Sequence, residues 1–569
     1  MPAVTLKLKL PRKLVDTIAS LVSRTTPSLS GLIAGSLFVA LSLTPSLLPR
    51  TWVAQGVLSG VSFAVGYFLG LFADWLWRAL HLPRRSVMDL PNGRAIVAAI
   101  CLLLILPFAW RAAAWQNSTR VLMDLEPVRT IHPAGVLVVA SITMLVIVAF
   151  VRLAKITIRA LSRSAARVMP ERTATILGML GAFLLFWVVA TGIVIRFGMQ
   201  VVDSSYRTYD AFVEPDLSPP SDPLKSGSAA SLLNWQELGR QGRRYISSGP
   251  SAAEIGAVLG QPAREPLRVY VGMRSAATPE QRAMLALREL ERTGGFDRAA
   301  LVVITPTGTG WVDEAGIDPI EFLEGGDIAS VAMQYSYLSS PLSLIAEPDN
   351  GNESARALFN AIYRHWTSLP EDKRPRLYLY GLSLGALNSS RAADPFELAG
   401  EPIQGALWAG PPFASRIWRS ITDGRNPGSP EWLPQFRDGR AVRFMNQQSG
   451  HGQRSKAWGR IRIVYLQYAS DPVTFFEFSS IYRRPDWTRG RLGPDVSPEL
   501  RWFPIVSFLQ LAGDMATFTN TPTGFGHSFA VDHYIDAWME VADVQGWPPE
   551  RVERLKRHLQ KLPAEPSEI

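Results

Sequence analysis

The first 200 residues hold five successive apolar runs, at 29–48, 53–75, 95–115, 134–153 and 174–195. A helix that crosses a bilayer needs about 20 mostly apolar residues, and each run comes close to that length. Runs of this kind, one after another, are rare in a soluble core. The first begins too deep in the chain, and has too many successors, to be a cleaved signal peptide. The pattern predicts an all-α transmembrane domain of about five spans over 29–200, preceded by a short segment, 1–28.

The basic residues fall in alternate connections. Lys7, Lys9, Arg12, Lys13 and Arg24 precede the first run, Arg78, Arg84, Arg85 and Arg94 follow the second, and Arg152, Lys155, Arg159, Arg163, Arg167 and Arg172 follow the fourth. The other connections hold only Arg50, Arg111, Arg120 and Arg129. Lys and Arg gather in cytoplasmic loops, so the amino terminus is expected in the cytoplasm. An odd number of spans then places everything after about residue 200 outside. The net charge of +9 thus has a home beside the lipid bilayer. No nucleic-acid-binding motif accompanies it, and no nucleic-acid partner is expected.

Gly56, Gly60, Gly66 and Gly70 form two small-xxx-small pairs on the second run. Such pairs let helix backbones approach closely, so this is a packing face or the contact of a homo-oligomer. Trp52, Trp75, Trp77, Trp110 and Trp115 stand near the ends of the runs, as an interfacial belt does, and Asp74 reads as interfacial too. The runs lack the dense buried charges and paired broken helices of a transporter. The single cysteine, Cys101, lies in an apolar run and excludes a disulfide framework.

Residues 213–228 (VEPDLSPPSDPLKSGS) are rich in Pro, Ser and Asp and mark a linker over 201–230. Beyond it, over 231–569, short β-branched runs alternate with amphipathic stretches such as 279–292 and 354–367. The runs are LRVYVGM from Leu267, ALVVITP from Ala300, IASVAMQYSY from Ile328, RLYLYG from Arg376, GALWAG from Gly405 and IRIVYLQYAS from Ile461. The alternation predicts a mostly parallel sheet with helices on both faces.

One segment carries chemistry. In RLYLYGLSLGALNSS, Gly381-Leu382-Ser383-Leu384-Gly385 matches G-x-S-x-G. This pattern forces a strained strand-to-helix turn that lifts the serine oxygen above the sheet edge. The apolar strand leading in and the small-residue helix leading out are the setting it requires. A serine hydroxyl needs a base, and the base an orienting acid, in the chain order Ser, Asp or Glu, His. Asp471, in YASDPV just past a strand, fits the acid, with Asp486, Asp495 and Asp514 as rivals. His527, in the glycine-flanked TPTGFGHSFA, fits the base. His451 precedes the acid, and His533 falls inside a helical pattern. The oxyanion would rest on the N–H of Leu384, next to the nucleophile. A second donor is expected from Thr307, Gly308 or Thr309 in TPTGTGWVDE, where glycines give room. Residues 487–517, between acid and base, would cap the site. No metal-ligand spacing and no phosphate-binding loop occurs, so no cofactor is expected.

SLTPSLLPRTWVAQGVLSG, TPTGTGWVDE, YGLSLGA, YLQYASDP and RRPDWTRGRLGPDVSPELRWFPIVSFLQLAGDM together resemble a bacterial family of membrane-anchored α/β-hydrolases, over about 30–538. The resemblance implies a helical membrane region followed by an α/β-hydrolase domain in the cell membrane, with Ser383 as nucleophile. It supports His527, because members tend to carry a Gly-His-rich loop there. Phe525 stands where another histidine is often found, which leaves His527 as the one candidate in that loop. The resemblance names no substrate. Its membrane setting suggests an ester or related acyl bond of a lipid or envelope component. Acyl transfer to an alcohol on the same three residues, and a non-catalytic membrane scaffold or binding module, are the alternatives.

Overall fold

A computed structural model describes residues 28–82, 92–189, 196–393, 400–448 and 457–561, with the backbone alone over 196–202. The basic segment before Ser28, Arg84, Arg85, His451 and the end of the fifth apolar run lie outside the described residues. The chain forms two compact units. One comprises Met1–Thr44, Arg50–Gln116 and Val128–Arg152, the other Pro45–Pro49, Asn117–Pro127 and Leu153–Ile569.

Among the described residues, four helices are long and apolar enough to cross a membrane: Trp52–Ala79, Gly93–Met123, Pro133–Ala165 and Glu171–Val188. The first of the five expected spans is not among them. Its helix, Leu29–Ser42, has 14 residues, a rise of about 21 Å against a hydrocarbon core of about 30 Å. Pro45 and Pro49 stop the run, since the residue before a proline is driven out of the helical region. Arg50 then closes the helix end: its guanidinium donates to the carbonyls of Ser42 (3.1 Å) and Thr44 (2.6 Å).

The glycine pairs are filled from within the chain. A β-carbon on Gly56 would lie 2.6 Å from Val139 Cβ, and one on Gly60 2.7 Å from Thr143 Cβ. On Gly66 it would meet the Ala34 carbonyl at 2.6 Å, and on Gly70 the Ser30 carbonyl at 2.4 Å. One pair therefore seats helix Pro133–Ala165 and the other helix Leu29–Ser42. Neighbouring helices of the same chain thus cover all four glycines, as a packing face would have it. Asp74 accepts a hydrogen bond from Ser28 Oγ at 2.6 Å.

The second unit is built on a seven-stranded sheet: β1 Leu267–Val271, β2 Ala300–Thr305, β3 Ile328–Met333, β4 Arg376–Leu382, β5 Gly405–Ala409, β6 Val442–Met445 and β7 Arg462–Leu466. Its order is β1-β3-β2-β4-β5-β7-β6 and every pairing is parallel. β1, β2, β3 and β5 are buried on both faces, so their sequences read as unbroken apolar runs. Between strands run capped helices. In Pro279–Thr293, for instance, Thr278 and Gln281 form a capping box and Gly294 ends the helix at φ 73°. The parallel order brings the carboxyl ends of β2, β4, β5 and β7 to one edge, where ligands of open α/β sheets bind.

Candidate active site

β4 lies in the middle of the sheet, with Gly381 paired to Thr305 and Leu382 to Ala409. It ends at Ser383, which sits at φ 57°, ψ −121° before helix Leu384–Ala392. A non-glycine residue there is strained, and such strain gathers at functional sites. The flanking glycines permit the turn. A β-carbon on Gly381 would lie 2.4 Å from the backbone of Gly385, and one on Gly385 2.1 Å from the Thr305 carbonyl. The Ser383 N–H donates to the Ala409 carbonyl at 2.9 Å, tying the elbow to β5.

Asp471 follows β7 and caps the short helix Pro472–Phe475. Its Oδ1 accepts from Val473 N–H (2.8 Å) and Thr474 N–H (3.4 Å), and its Oδ2 from Thr474 Oγ1 (3.0 Å). His527 Nδ1 stands 2.7 Å from the same Oδ2, with both side chains fully buried. A carboxylate has only acceptors, so the proton is on Nδ1 and the Nε2 lone pair is free. Phe518 and Phe529 meet the imidazole edge-on, at 5.4 and 5.8 Å. Nε2 is buried and has no hydrogen-bond partner among the described residues. The structure thus joins Asp471 and His527, and sets Ser383 at a strained elbow on the same sheet edge. It does not form a Ser383–His527 hydrogen bond. His527 and Leu382, the residue before the serine, line a cleft of about 1090 Å³.

The expected oxyanion donors divide. Leu384 opens its helix, and a first-turn N–H has no intrahelical acceptor. Thr307 N–H donates to the Trp311 carbonyl at 3.0 Å, and Gly308 N–H to Ser340 Oγ at 3.1 Å. Both N–H groups already have acceptors in this structure. Gly308 is required by packing, since a β-carbon would lie 2.6 Å from the Leu338 carbonyl. Thr309 lines a separate cavity of about 300 Å³ with Tyr206, Tyr209, Arg240 and Tyr337.

The rival acids have other partners. Asp514 binds Ser46 Oγ and, at 3.0 Å, Leu47 N–H. Asp486 faces Arg489 at the surface. Asp495 is buried, and its Oδ2 accepts from Ser470 N–H (3.0 Å), Ser470 Oγ (2.6 Å) and Gln447 Nε2 (2.9 Å). Burial pushes its pKa up. Residues 487–517 are packed into the unit: Trp487 Nε1 donates to the Phe475 carbonyl and Trp502 Nε1 to that of Ser480. His533 Nδ1 takes a 2.6 Å hydrogen bond with the Tyr468 hydroxyl, and burial lowers its pKa.

Sequence reasoning missed two residues. Gly410, at φ 51°, lies against the His527 ring. Asp313 lines the cleft, and burial pushes its carboxyl up to about 7. Neither belongs to a local pattern that would single it out.

A parallel sheet with a serine elbow after its central strand, and a buried Asp–His pair at the same edge, defines an α/β-hydrolase architecture. Profile comparison agrees: the alpha/beta-hydrolase family matches residues 267–555, and that family's N-terminal region matches 43–250. The chain belongs to the alpha/beta-hydrolase family. No curated protein and no solved structure matches it.

Proposed function

We propose that the chain is a membrane-anchored serine hydrolase that cleaves an ester or related acyl bond. The observation that carries this reading is the buried 2.7 Å Asp471–His527 pair with its unpartnered Nε2, on the sheet edge that bears the strained Ser383. His527 Nε2 takes the Ser383 proton as Oγ attacks the acyl carbon. Asp471 holds the ring and stabilises the imidazolium. The oxyanion develops near the Leu384 N–H. Collapse expels the leaving group, which takes the proton from His527. Water, activated by the same base, then frees the acid. The Ser383–His527 hydrogen bond then forms with substrate, since catalytic hydrogen bonds are often long before substrate binds.

The four long apolar helices support the anchor. The basic connections around 78–94 and 152–172 favour an outward hydrolase unit. With both on the cytoplasmic side, the chain after Val188 falls outside whether or not Leu29–Ser42 crosses. The anchor also favours lipid or envelope acyl substrates.

The missing Ser383–His527 hydrogen bond is what a non-catalytic scaffold would also show. Fluorophosphonate labelling of membranes separates the two. Labelling that disappears in Ser383→Ala at equal expression is the expected result. A folded, unlabelled protein would overturn the hydrolase reading.

A further inference from the structure

We propose that Asp495 and Ser470 form a buried bracket that holds the acid and base loops in register, as positioning residues for the Ser383–His527–Asp471 site. The inference rests on reading that site as a catalytic triad.

The hydrogen bonds have a defined direction. Asp495 has acceptors only, so the Ser470 hydroxyl proton points at Oδ2, 2.6 Å away. The lone pairs of that hydroxyl then face the Gly526 N–H, which donates to it at 2.9 Å. Ser470 immediately precedes the acid, and Gly526 immediately precedes the base. One carboxylate therefore fixes the residue before Asp471 directly and the residue before His527 through a single hydroxyl. This is a second link between the two loops, parallel to the Asp471–His527 bond. Gln447, just past β6, joins it: its Nε2 donates to Asp495 Oδ2 and, at 3.2 Å, to the Gly524 carbonyl. Gly493 lets the Asp495 turn close down, because a β-carbon there would lie 2.1 Å from Ala469 Cβ.

Asp495 bonds neither His527 nor Ser383, so it acts through the loops it holds. All three bonds end on Oδ2. Asparagine, with its oxygen in that place, keeps all three acceptances, loses the charge and sets its NH2 where the buried Oδ1 has no hydrogen-bond partner among the described residues. Alanine loses the bracket. Ser470→Ala removes both hydroxyl bonds, to Asp495 Oδ2 and from the Gly526 N–H, and keeps the backbone bond from residue 470 to Asp495.

The test uses the full chain in detergent, with fluorophosphonate labelling rates measured across pH. Ser470→Ala and Asp495→Ala should each slow labelling by about tenfold or more. Their acid limb should move to lower pH, because a displaced Asp471 stabilises the imidazolium less. Asp495→Asn should stay within a few-fold of the unmodified chain and keep its midpoint. A merely structural role would lower the labelling end point and the Tm, while rate per site and midpoint stayed put; that result overturns the bracket. So does labelling that needs Ser383 and His527 but ignores all three variants. Labelling that survives Ser383→Ala would overturn the triad reading and the bracket with it.

Discussion

A β-carbon on Gly410 would lie 2.6 Å from Cε1 of His527 and 3.0 Å from its Nδ1. Gly410 follows the last residue of β5. Its N–H donates to the Leu466 carbonyl at the end of β7, and the preceding carbonyl accepts from Ser383. One residue without a side chain thus stands between the elbow, the acid strand and the imidazole.

Gly410→Ala should slow Ser383 labelling by about 100-fold or more, since small displacements of reacting groups carry large rate costs. The positive φ adds about 1–2 kcal/mol of strain. Labelling rate and thermal unfolding, measured on the same preparation, check both. A variant that labels at full rate would show that the ring is not held from this side.

Asp471→Asn should leave the fold intact and cut the labelling rate by about 10³–10⁴-fold. The amide no longer fixes the Nδ1–H tautomer or stabilises the imidazolium. Its backbone role at the start of helix Pro472–Phe475 survives, because asparagine also caps helices. The measurement is the second-order rate constant for labelling at equal folded protein.

Stability should fall as pH rises from about 4 to 7. Asp313 sits near 7 because burial penalises its charged form, and Glu431 is pushed to about 7 for the same reason. A raised carboxyl binds its proton more tightly in the folded state, so its contribution is complete below the unfolded value and lost as pH climbs through the folded one. Asp313→Asn should shrink the difference in Tm between pH 5 and pH 8 and stabilise the chain at pH 8. Asparagine keeps the cap that Asp313 Oδ1 gives the Ala315 N–H at 3.1 Å. Glu431 should leave a residual slope.

In the helical amino-terminal region, Gly70→Leu and Gly56→Leu should each destabilise the chain, because their side chains would enter the space held by Ser30 of Leu29–Ser42 and Val139 of Pro133–Ala165. Sedimentation in detergent should give the same mass per particle for both variants and the unmodified chain. A change in mass would make these glycines a contact between copies.

Much of this was legible in the sequence because it is local. Strands buried on both faces leave continuous apolar runs, and G-x-S-x-G marks a turn that nothing bulkier accommodates. β6 was missed because it is four residues long and carries Arg443. That guanidinium pairs with Glu540 at 2.8 Å and lies 3.8 Å over the Trp458 ring. The run at 29–48 looked like a span by hydropathy, while Pro45 and Pro49 already recorded its break. The glycines after β2 read as room for a substrate, yet Gly308 meets the Leu338 carbonyl and Gly310 the Tyr270 hydroxyl. The Asp495 bracket has no sequence signal. It joins residues 25 and 56 positions from Ser470, and only the fold brings them together.

The most direct test of the central claim is peptide mass spectrometry of the fluorophosphonate-treated full chain. The account predicts one adduct, on the peptide that contains Ser383, absent after His527→Ala. An adduct on any other residue, or one on Ser383 that forms equally fast without His527, would contradict it.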